Sequence, residues 1–451
     1  MKSKQSVVLV VDAGTSSSKV GIVDREGTVL HRASEPYHYV APKPGYVELD
    51  FEVLWRQLAR AVSGLPTEDY RIEAVGLSVL RPGLVPLDRE GTPLRPAIIH
   101  LDRRSEAEAS EAVRLIGRER FLSVAGNLPY PGGMSLSSML WIQKNEPDVF
   151  SKVRYFGHTN TFLLKRLVDR WAIDTTNASF NGLYRTLTDD GWDRDLILDL
   201  DFSPETMPPV YHSADFVGTL IPRAAEELRL PTGIPVVAGG GDTGIAAFGA
   251  GVNDEGDILN STGTVEVMVL STEKPVARGE FLLCTHPLPG KWLVMNIIGA
   301  GGGALEWVRR EFYREMESKV FYRDHLPDIM QNPETTVSLV PFFAGDRTSF
   351  EKRTAEFTGI TLAHTRDDLL RATANAIVAE MRRRYDYYVE NWTLSGKMRY
   401  TGGGIEAMLR LKKDAFPGVR WEECPEATIA GAAKLGWMAA EAGGPVATPF
   451  A

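Results

Sequence analysis

Short apolar runs alternate along this chain with longer segments whose apolar residues recur at helical spacing. Strands are predicted for the short runs, at Val7–Val11, Lys19–Val23, Ala74–Ser78 and Pro235–Ala238. Helices are predicted for the longer segments, at Phe51–Leu65, Ser105–Ile116, Ser135–Asn145 and Asp367–Asn391. Alternation of the two kinds of segment favours an α/β architecture.

The first strands are separated by short polar turns, which predicts a β-meander rather than a βαβ unit. A similar strand–turn–strand pattern occurs at Gly256–Leu270. The pairs Gly14-Thr15 and Gly263-Thr264 occupy the two turns and are 249 positions apart. This echo suggests an internal duplication, with an N-terminal domain at 1–248 and a C-terminal domain at 249–451.

Composition narrows the functional classes. A chain of 451 residues is long enough for two domains, and its net charge of −9 argues against a nucleic-acid partner. The two cysteines, Cys284 and Cys424, form neither a disulfide framework nor a zinc motif and suit a reducing compartment. The sequence shows no apolar run of membrane-spanning length and no signal peptide, so we expect a cytoplasmic protein. A homodimer is compatible with the sequence, which does not specify an oligomeric state.

Four glycine-rich or hydroxyl-rich turns are candidate anion sites, at Asp12–Ser18, Gly239–Gly244, Gly299–Gly303 and Gly402–Gly404. Glycine lets backbone N–H groups approach an anion, and Ser and Thr add donors. The alternative for each turn is simple close packing. "GGGDTG" and "GAGGGA" match dinucleotide templates, but Asp242 would place a charge in such a loop and the chain starts with a meander. The P-loop motif is absent.

In order along the chain, these segments resemble the FGGY family of carbohydrate kinases, within the actin/hexokinase-like ATPases. The resemblance rests on "DAGTSSSK", "GYVELDFEVLW", "AGGGDTGIAAFGAG", "NSTGT", "GAGGGALEWVRREF", "PFFAGDRT" and "TGGGIEAM". It implies an α/β fold of two actin-like (ribonuclease H-like) domains with a central cleft. The chain departs from the family pattern at His100, Ser138 and Asn375.

The resemblance implies ATP- and Mg²⁺-dependent phosphorylation of a hydroxyl on a small sugar or polyol. Asp242 would be the general base that accepts the hydroxyl proton. The alternative is an N-cap, since the residue precedes the helix-like "TGIAAFG".

Asp12 would hold Mg²⁺ through water, with Asp242 as a second metal-side carboxylate. Its alternative is a local Asx-turn. The phosphates and the nucleoside would contact Thr15, Ser16, Ser17, Gly263, Thr264, Gly302, Gly303, Glu306, Gly402, Gly403 and Ala407. For the residues of the second half, the alternative is an ordinary helix N-terminal turn.

On the sugar side the resemblance implies Arg81 and Asp102, beside Asp242. Arg81 would present a fork of donors to vicinal hydroxyls. Its alternative is a surface arginine, and Asp102 could instead pair with Arg104. The Arg81-Pro82 pair resembles glycerol-kinase-like members and disfavours a standard xylulokinase pocket. It does not select between glycerol, a tetritol and a ketopentose, so the expected substrate is a ketopentose or a short polyol.

Three other functions stay open at this point. An actin-like ATPase switch would turn over ATP without sugar, and a non-catalytic sugar-binding protein would bind without turnover. A nicotinamide dehydrogenase is suggested only by the two glycine templates.

Overall fold

The computed structural model describes residues 4–403, 406–442 and 447–450. The chain forms two compact units. The first comprises Met1–Gly251, Glu273–Leu293 and Ala427–Ala451, and the second comprises Val252–Thr272 and Val294–Glu426. The first division therefore falls three residues after the predicted boundary at 248. The segments 273–293 and 427–451 rejoin the first unit, which a division into two continuous halves does not include.

Most strands are short. They are β1 Gln5–Ala13, β2 Ser17–Val23, β3 Val29–Pro36, β4 Glu48–Leu49, β5 Tyr70–Val79, β6 Gly83–Leu87, β7 Ala97–Ile99, β8 Tyr155–Gly157, β9 Ile173–Asp174, β10 Val210–Tyr211, β11 Phe216–Thr219, β12 Pro235–Val237, β13 Gly240–Gly241, β14 Ile258–Thr262, β15 Glu266–Thr272, β16 Leu282–Thr285, β17 Trp292–Ile298, β18 Ser338–Val340, β19 Glu356–Thr358, β20 Lys397–Gly402 and β21 Arg420–Glu423.

The helices vary more in length. They are α1 Phe51–Ser63, α2 Glu106–Ile116, α3 Arg118–Ala125, α4 Ser135–Asn145, α5 Pro147–Phe150, α6 Thr159–Val168, α7 Thr175–Ala178, α8 Arg194–Asp199, α9 Pro222–Leu228, α10 Asp242–Gly249, α11 Gly302–Phe312, α12 Ser318–Val320, α13 Leu326–Ile329, α14 Arg366–Asn391, α15 Glu406–Ala415 and α16 Ala427–Ala442. Short 3₁₀ turns lie at Thr67–Asp69 and Pro204–Thr206, and a π turn lies at Phe321–His325. The eight elements predicted from periodicity are all confirmed, with ends shifted by a few residues.

The main sheet of the first unit has the strand order β11-β12-β5-β1-β2-β3, with β13 also paired to β5. Strands β1, β2 and β3 form an antiparallel meander, as the sequence predicts. Strands β5, β12 and β13 continue the sheet in the direction of β1.

Alternate residues of β1 face opposite layers of helices. Val7, Leu9 and Val11 belong to the core that contains α1. Val8 and Val10 belong to a second core, formed with α10 and α16. Because side chains alternate across a strand, this run of apolar residues is buried on both faces of the sheet. The packing of α16 against β1 explains why the C-terminal segment belongs to the first unit.

The second unit repeats this strand order. Its sheet runs β17-β15-β14-β20-β21, which corresponds to β3-β2-β1-β5-β12. Strands β14 and β15 are antiparallel, whereas β20 and β21 run parallel to β14. The repeated order is what a duplicated opening hairpin predicts. Within the described residues, no helix combines the length and apolarity needed to cross a membrane.

Candidate active site

Three polar segments leave the same edge of the first sheet. Strand β1 ends in the turn at 14–16, β5 leads to Arg81, and β13 leads to Asp242. The carboxyl ends of parallel strands meet at one edge, and ligands bind there in open α/β sheets. Asp12 and Gly240 both pair with Ser78 from opposite sides, so their Cα atoms lie about 10 Å apart. The structure thus brings Asp12, Arg81 and Asp242 together.

Asp12 lies within β1 rather than in the turn, and its side chain is buried. The Ser78 hydroxyl donates a 2.9 Å hydrogen bond to its Oδ1. The turn is closed by the Gly14 amide, which donates to the Ser17 carbonyl at 3.1 Å. The Tyr37 hydroxyl donates to the Gly14 carbonyl at 2.5 Å, and burial raises the pKa of this phenol. These contacts fix the turn on its inner side.

The three predicted hydroxyl donors occupy the outer side of the same turn. Ser16 is exposed, and Thr15 and Ser17 are half-buried. Their placement around a fixed loop is suited to donation toward an anion.

Asp242 is the first residue of α10, and Gly241 occupies the N-cap position. The Asp242 carboxylate is half-buried and accepts from the backbone amide of Thr243 at 2.7 Å. Gly239 has a φ of +73°, and a Cβ there would lie 2.5 Å from Cβ of Leu77. Glycine at this position therefore lets the loop pack on β5 while Asp242 follows at the sheet edge.

Arg81 is buried, in contrast to the surface arginine that was its alternative. Its guanidinium stacks 4.0 Å from the Phe180 ring centroid, and Nη1 donates to the Thr176 carbonyl at 3.1 Å. A Cβ on Gly241 would lie 2.5 Å from Cδ of Arg81. The arginine therefore packs directly against the residue that precedes Asp242.

A buried polar network supports this loop, and the sequence interpretation missed it. The Gly241 amide donates to Oγ1 of Thr176 at 2.9 Å, and this hydroxyl donates to Asp174 at 2.5 Å. The Asp174 carboxylate also accepts from the side chains of Asn160 and Asn177, at 2.7 and 2.5 Å. Burial raises the pKa of Asp174. The polar run "DTTN" in an otherwise apolar region was the signal that could have indicated it.

Asp102 takes part in a buried ion pair. Its side chain and that of Arg104 are each only 1% exposed, and Nη2 of Arg104 lies 2.7 Å from Oδ2 of Asp102. The Val47 amide donates to the same oxygen at 2.5 Å. Arg104 also contacts Glu48 at 2.8 Å and stacks 4.0 Å from the Tyr46 ring. The Asp102–Arg104 pairing that the sequence left open is present in the structure.

The second unit contains a cavity of about 620 Å³. Its lining includes predicted nucleotide residues from two segments, namely Gly263 and Thr264 from one and Gly302, Gly303 and Glu306 from the other. Trp307, Arg310 and Phe343 also line it. They lie in the segments "GAGGGALEWVRREF" and "PFFAGDRT", but the sequence interpretation assigned them no role.

Backbone hydrogen bonds join the segments of this cavity. The Gly302 amide donates to the Gly263 carbonyl at 2.9 Å, and the Gly303 amide donates to the Thr264 carbonyl at 3.0 Å. The Glu306 carboxylate pairs with Arg309 at 2.7 Å and accepts from the Tyr322 hydroxyl at 2.8 Å. Arg309 holds the pKa of the Glu306 carboxyl below its usual range.

Gly402 ends β20 beside β14, Gly403 follows it, and Ala407 is buried on α15. Gly402 has a φ of +104°, and a Cβ there would lie 2.0 Å from the Thr262 carbonyl oxygen. None of these three residues lines the cavity. Gly404, also part of the predicted turn, lies outside the described residues.

Comparison with known proteins assigns the family. The xylulose kinase of Staphylococcus epidermidis is 27% identical over 450 residues, covering 96% of this chain and 89% of that protein. The glycerol kinase of Limosilactobacillus reuteri is 27% identical and covers 97% and 90% of the two chains. The crystal structure of xylulose kinase from Rhodospirillum rubrum superposes with a TM-score of 0.85, at 24% identity over 98% of this chain and 91% of that chain.

The family model for the N-terminal domain of FGGY carbohydrate kinases matches residues 7–249, more than half of the chain. This match agrees with the order of the sequence motifs. It also agrees with the position of Asp12 and Asp242 at one edge of the first sheet. The chain belongs to the FGGY family of carbohydrate kinases and is an ATP-dependent sugar kinase.

Proposed function

We propose that this kinase transfers the γ-phosphate of ATP to a hydroxyl of a ketopentose or a short polyol, with Asp242 as the general base. The observation that carries the proposal is the meeting of Asp12, Arg81 and Asp242 at the carboxyl edge of one sheet. The relatives named xylulose kinase and glycerol kinase act on a ketopentose and on a polyol, which supports the same substrate range.

Asp242 accepts the proton of the substrate hydroxyl as its oxygen attacks the γ-phosphorus in line. The carboxylate is half-buried and begins a helix, so it is held in place and is accessible to a substrate. Arg81 packs against the preceding glycine and donates to substrate hydroxyls next to the reacting one.

Mg²⁺ fits the acidic side chains at this edge. The ion commonly takes one or two carboxylates together with substrate phosphates and water. Asp12 and Asp242 are such a pair, and among residues 4–403, 406–442 and 447–450 no group of three or more His, Cys, Asp or Glu forms a metal site. When bound, the ion neutralises phosphate charge. Asp12 would hold it through water, and the turn at Thr15–Ser17 would donate to phosphate oxygens.

The nucleotide would occupy the cavity of the second unit. Gly263 and Thr264 would donate to phosphates, while Gly302, Gly303 and Glu306 would contact the ribose and phosphates. Gly402, Gly403 and Ala407 would lie on the adenine side. The volume of about 620 Å³ is within the usual range for a small-ligand site.

ADP release measured with a panel of ketopentoses, hexuloses, glycerol and tetritols tests the proposal. We expect saturable turnover with one class, abolished by chelating Mg²⁺. Asp242→Asn should lower kcat by about 10²- to 10⁴-fold with little change in the KM for ATP. Exposed Asp199→Asn is the matched control. Full activity of Asp242→Asn would overturn the base assignment, and sugar-independent ATP turnover would favour the ATPase switch.

The proposal also covers the cellular compartment and the oligomeric state of the protein. Cys284 and Cys424 form no disulfide, which supports a reducing cytoplasmic location. Light scattering on the purified protein decides between a monomer and a homodimer.

A further inference from the structure

Lys412 is a buried lysine beneath the turn that joins β14 to β15. It lies on α15, and its side chain is 3% exposed. Its ammonium lies 2.9 Å from Oε2 of Glu266, 3.0 Å from Oδ1 of Asn260 and 2.9 Å from Oγ1 of Thr262. These contacts can use all three donors of the ammonium group.

Two of these partners are the residues that flank the turn. Thr262 pairs with Glu266 across the hairpin, so the turn between them is 263–265. Oε2 of Glu266 also accepts from Nδ2 of Asn260 at 2.8 Å and from the Thr262 hydroxyl at 3.1 Å. The Lys412 ammonium therefore contacts the residues at both ends of the turn, Thr262 and Glu266.

The same turn forms part of the cavity. Gly263 and Thr264 line it and accept hydrogen bonds from Gly302 and Gly303. The Glu266 amide donates to the carbonyl of Ala300, two residues before that glycine pair, at 3.0 Å. A shift of Glu266 would therefore move both segments of the cavity.

A buried ion pair is weak evidence for a role in stability alone, because desolvation offsets much of its attraction. Without Lys412, the Glu266 carboxylate would be an unpaired negative charge within two residues of the loop proposed to bind phosphates. It would repel the phosphates of the nucleotide. We infer that Lys412 is a positioning residue for ATP, which fixes the turn at 263–265 and neutralises Glu266. This inference rests on the proposed nucleotide role of the cavity.

The experiment compares Lys412→Met with Lys413→Met, an exposed neighbour on the same helix. Steady-state kinetics give the KM for ATP, the KM for the sugar and kcat, and circular dichroism checks folding. We expect Lys412→Met to raise the KM for ATP by about tenfold or more and to leave the sugar KM within about twofold. Lys413→Met should match the wild type. A folded Lys412→Met enzyme with wild-type KM for ATP overturns the inference, as does an equal rise in both KM values.

Two further variants distinguish failure of the Lys412 inference from misfolding and from failure of the proposed nucleotide role. Lys412→Met combined with Glu266→Gln leaves no buried charge, so it replaces the single variant if that one does not fold. We expect it to raise the KM for ATP by about threefold or more, because the ends of the turn lose the ammonium contacts. Wild-type KM for ATP in the folded double variant contradicts the inference. Thr264→Val tests the cavity itself, and if it has no effect on ATP binding, the proposed nucleotide role fails instead.

Discussion

The backbone amide of Gly241 is bound to the side chain of Thr176 by a 2.9 Å hydrogen bond. The next residue is Asp242, and Thr176 in turn donates to the buried carboxylate of Asp174. The position of the proposed base therefore depends on a carboxylate that is itself fully enclosed by amide and hydroxyl donors. A catalytic carboxylate must be held in a fixed position, because a small displacement of the carboxylate lowers the rate of the chemical step steeply.

Thr176→Val should lower kcat by about tenfold, because it removes the bond that holds Gly241 without changing side-chain shape. The KM for ATP should stay unchanged, and the free energy of unfolding should fall by about 1–3 kcal/mol. Steady-state kinetics and urea unfolding measure the two effects. Thr175→Val is the matched control, since Thr175 is buried next to Thr176 but takes no part in the bonds to Asp174 and Gly241. Equal kcat values for the two variants would contradict the prediction.

Asp102→Asn distinguishes a structural role from sugar binding. The change removes one of the two carboxylates that pair with the buried Arg104 guanidinium and leaves Glu48 as the other, which should cost about 1–3 kcal/mol of folding free energy. Thermal and urea unfolding measure the loss, with exposed Asp199→Asn as control. A stable variant whose sugar KM rises would instead show that Asp102 contacts the substrate.

Gly402 and Gly403 should respond differently to alanine. At Gly402 a Cβ meets the Thr262 carbonyl at 2.0 Å and φ is +104°, so Gly402→Ala should destabilise the protein by more than about 1 kcal/mol. At Gly403 a Cβ meets no atom of the described residues within 4 Å, so Gly403→Ala should fold normally. A raised KM for ATP in Gly403→Ala, with unchanged melting temperature, would support close approach of the nucleotide. Equal destabilisation of both variants would refute the contrast.

His158 should make the protein less stable as the pH falls. Burial lowers the pKa of this histidine to about 4 from an ordinary 6.5, and Arg81 contributes to the shift. Between these values the unfolded chain binds a proton that the folded chain does not, so unfolding becomes easier as pH decreases. The loss from pH 7 to pH 5 should be about 2 kcal/mol.

Urea unfolding at pH 7 and pH 5 measures this loss. His158→Gln should show a smaller difference between the two pH values than the wild type. Exposed His38→Gln should keep the wild-type difference. An unchanged pH dependence in His158→Gln would assign the loss to other groups.

Much of this arrangement is predictable because it is local. Short apolar runs identified β1, β2 and β5, helical spacing identified α1, and the hairpin echo predicted an internal duplication. Glycines before Asp242 and after β20 were recognisable because close backbone approach demands them.

The missing parts depend on contacts between residues distant in sequence. Thr176 and Gly241 are 65 positions apart, and Lys412 and Asn260 are 152 apart. A lysine on an amphipathic helix ordinarily indicates a solvated face, so its burial could not be foreseen. The burial of Arg81 could not be foreseen either, because Phe180, on whose ring it stacks, is distant in sequence.

The two sheets share a strand order but differ in the length of chain inserted between corresponding strands. Between β5 and β12 the first unit inserts everything from β6 to β11, whereas between β20 and β21 the described residues of the second unit contain only α15. Arg81 and Asp102, the residues that the resemblance implies on the sugar side, both lie in this insertion of some 150 residues, whereas the proposed ATP cavity lies outside it. Exchanging the insertion between relatives should therefore change the sugar that is bound and leave ATP binding unchanged.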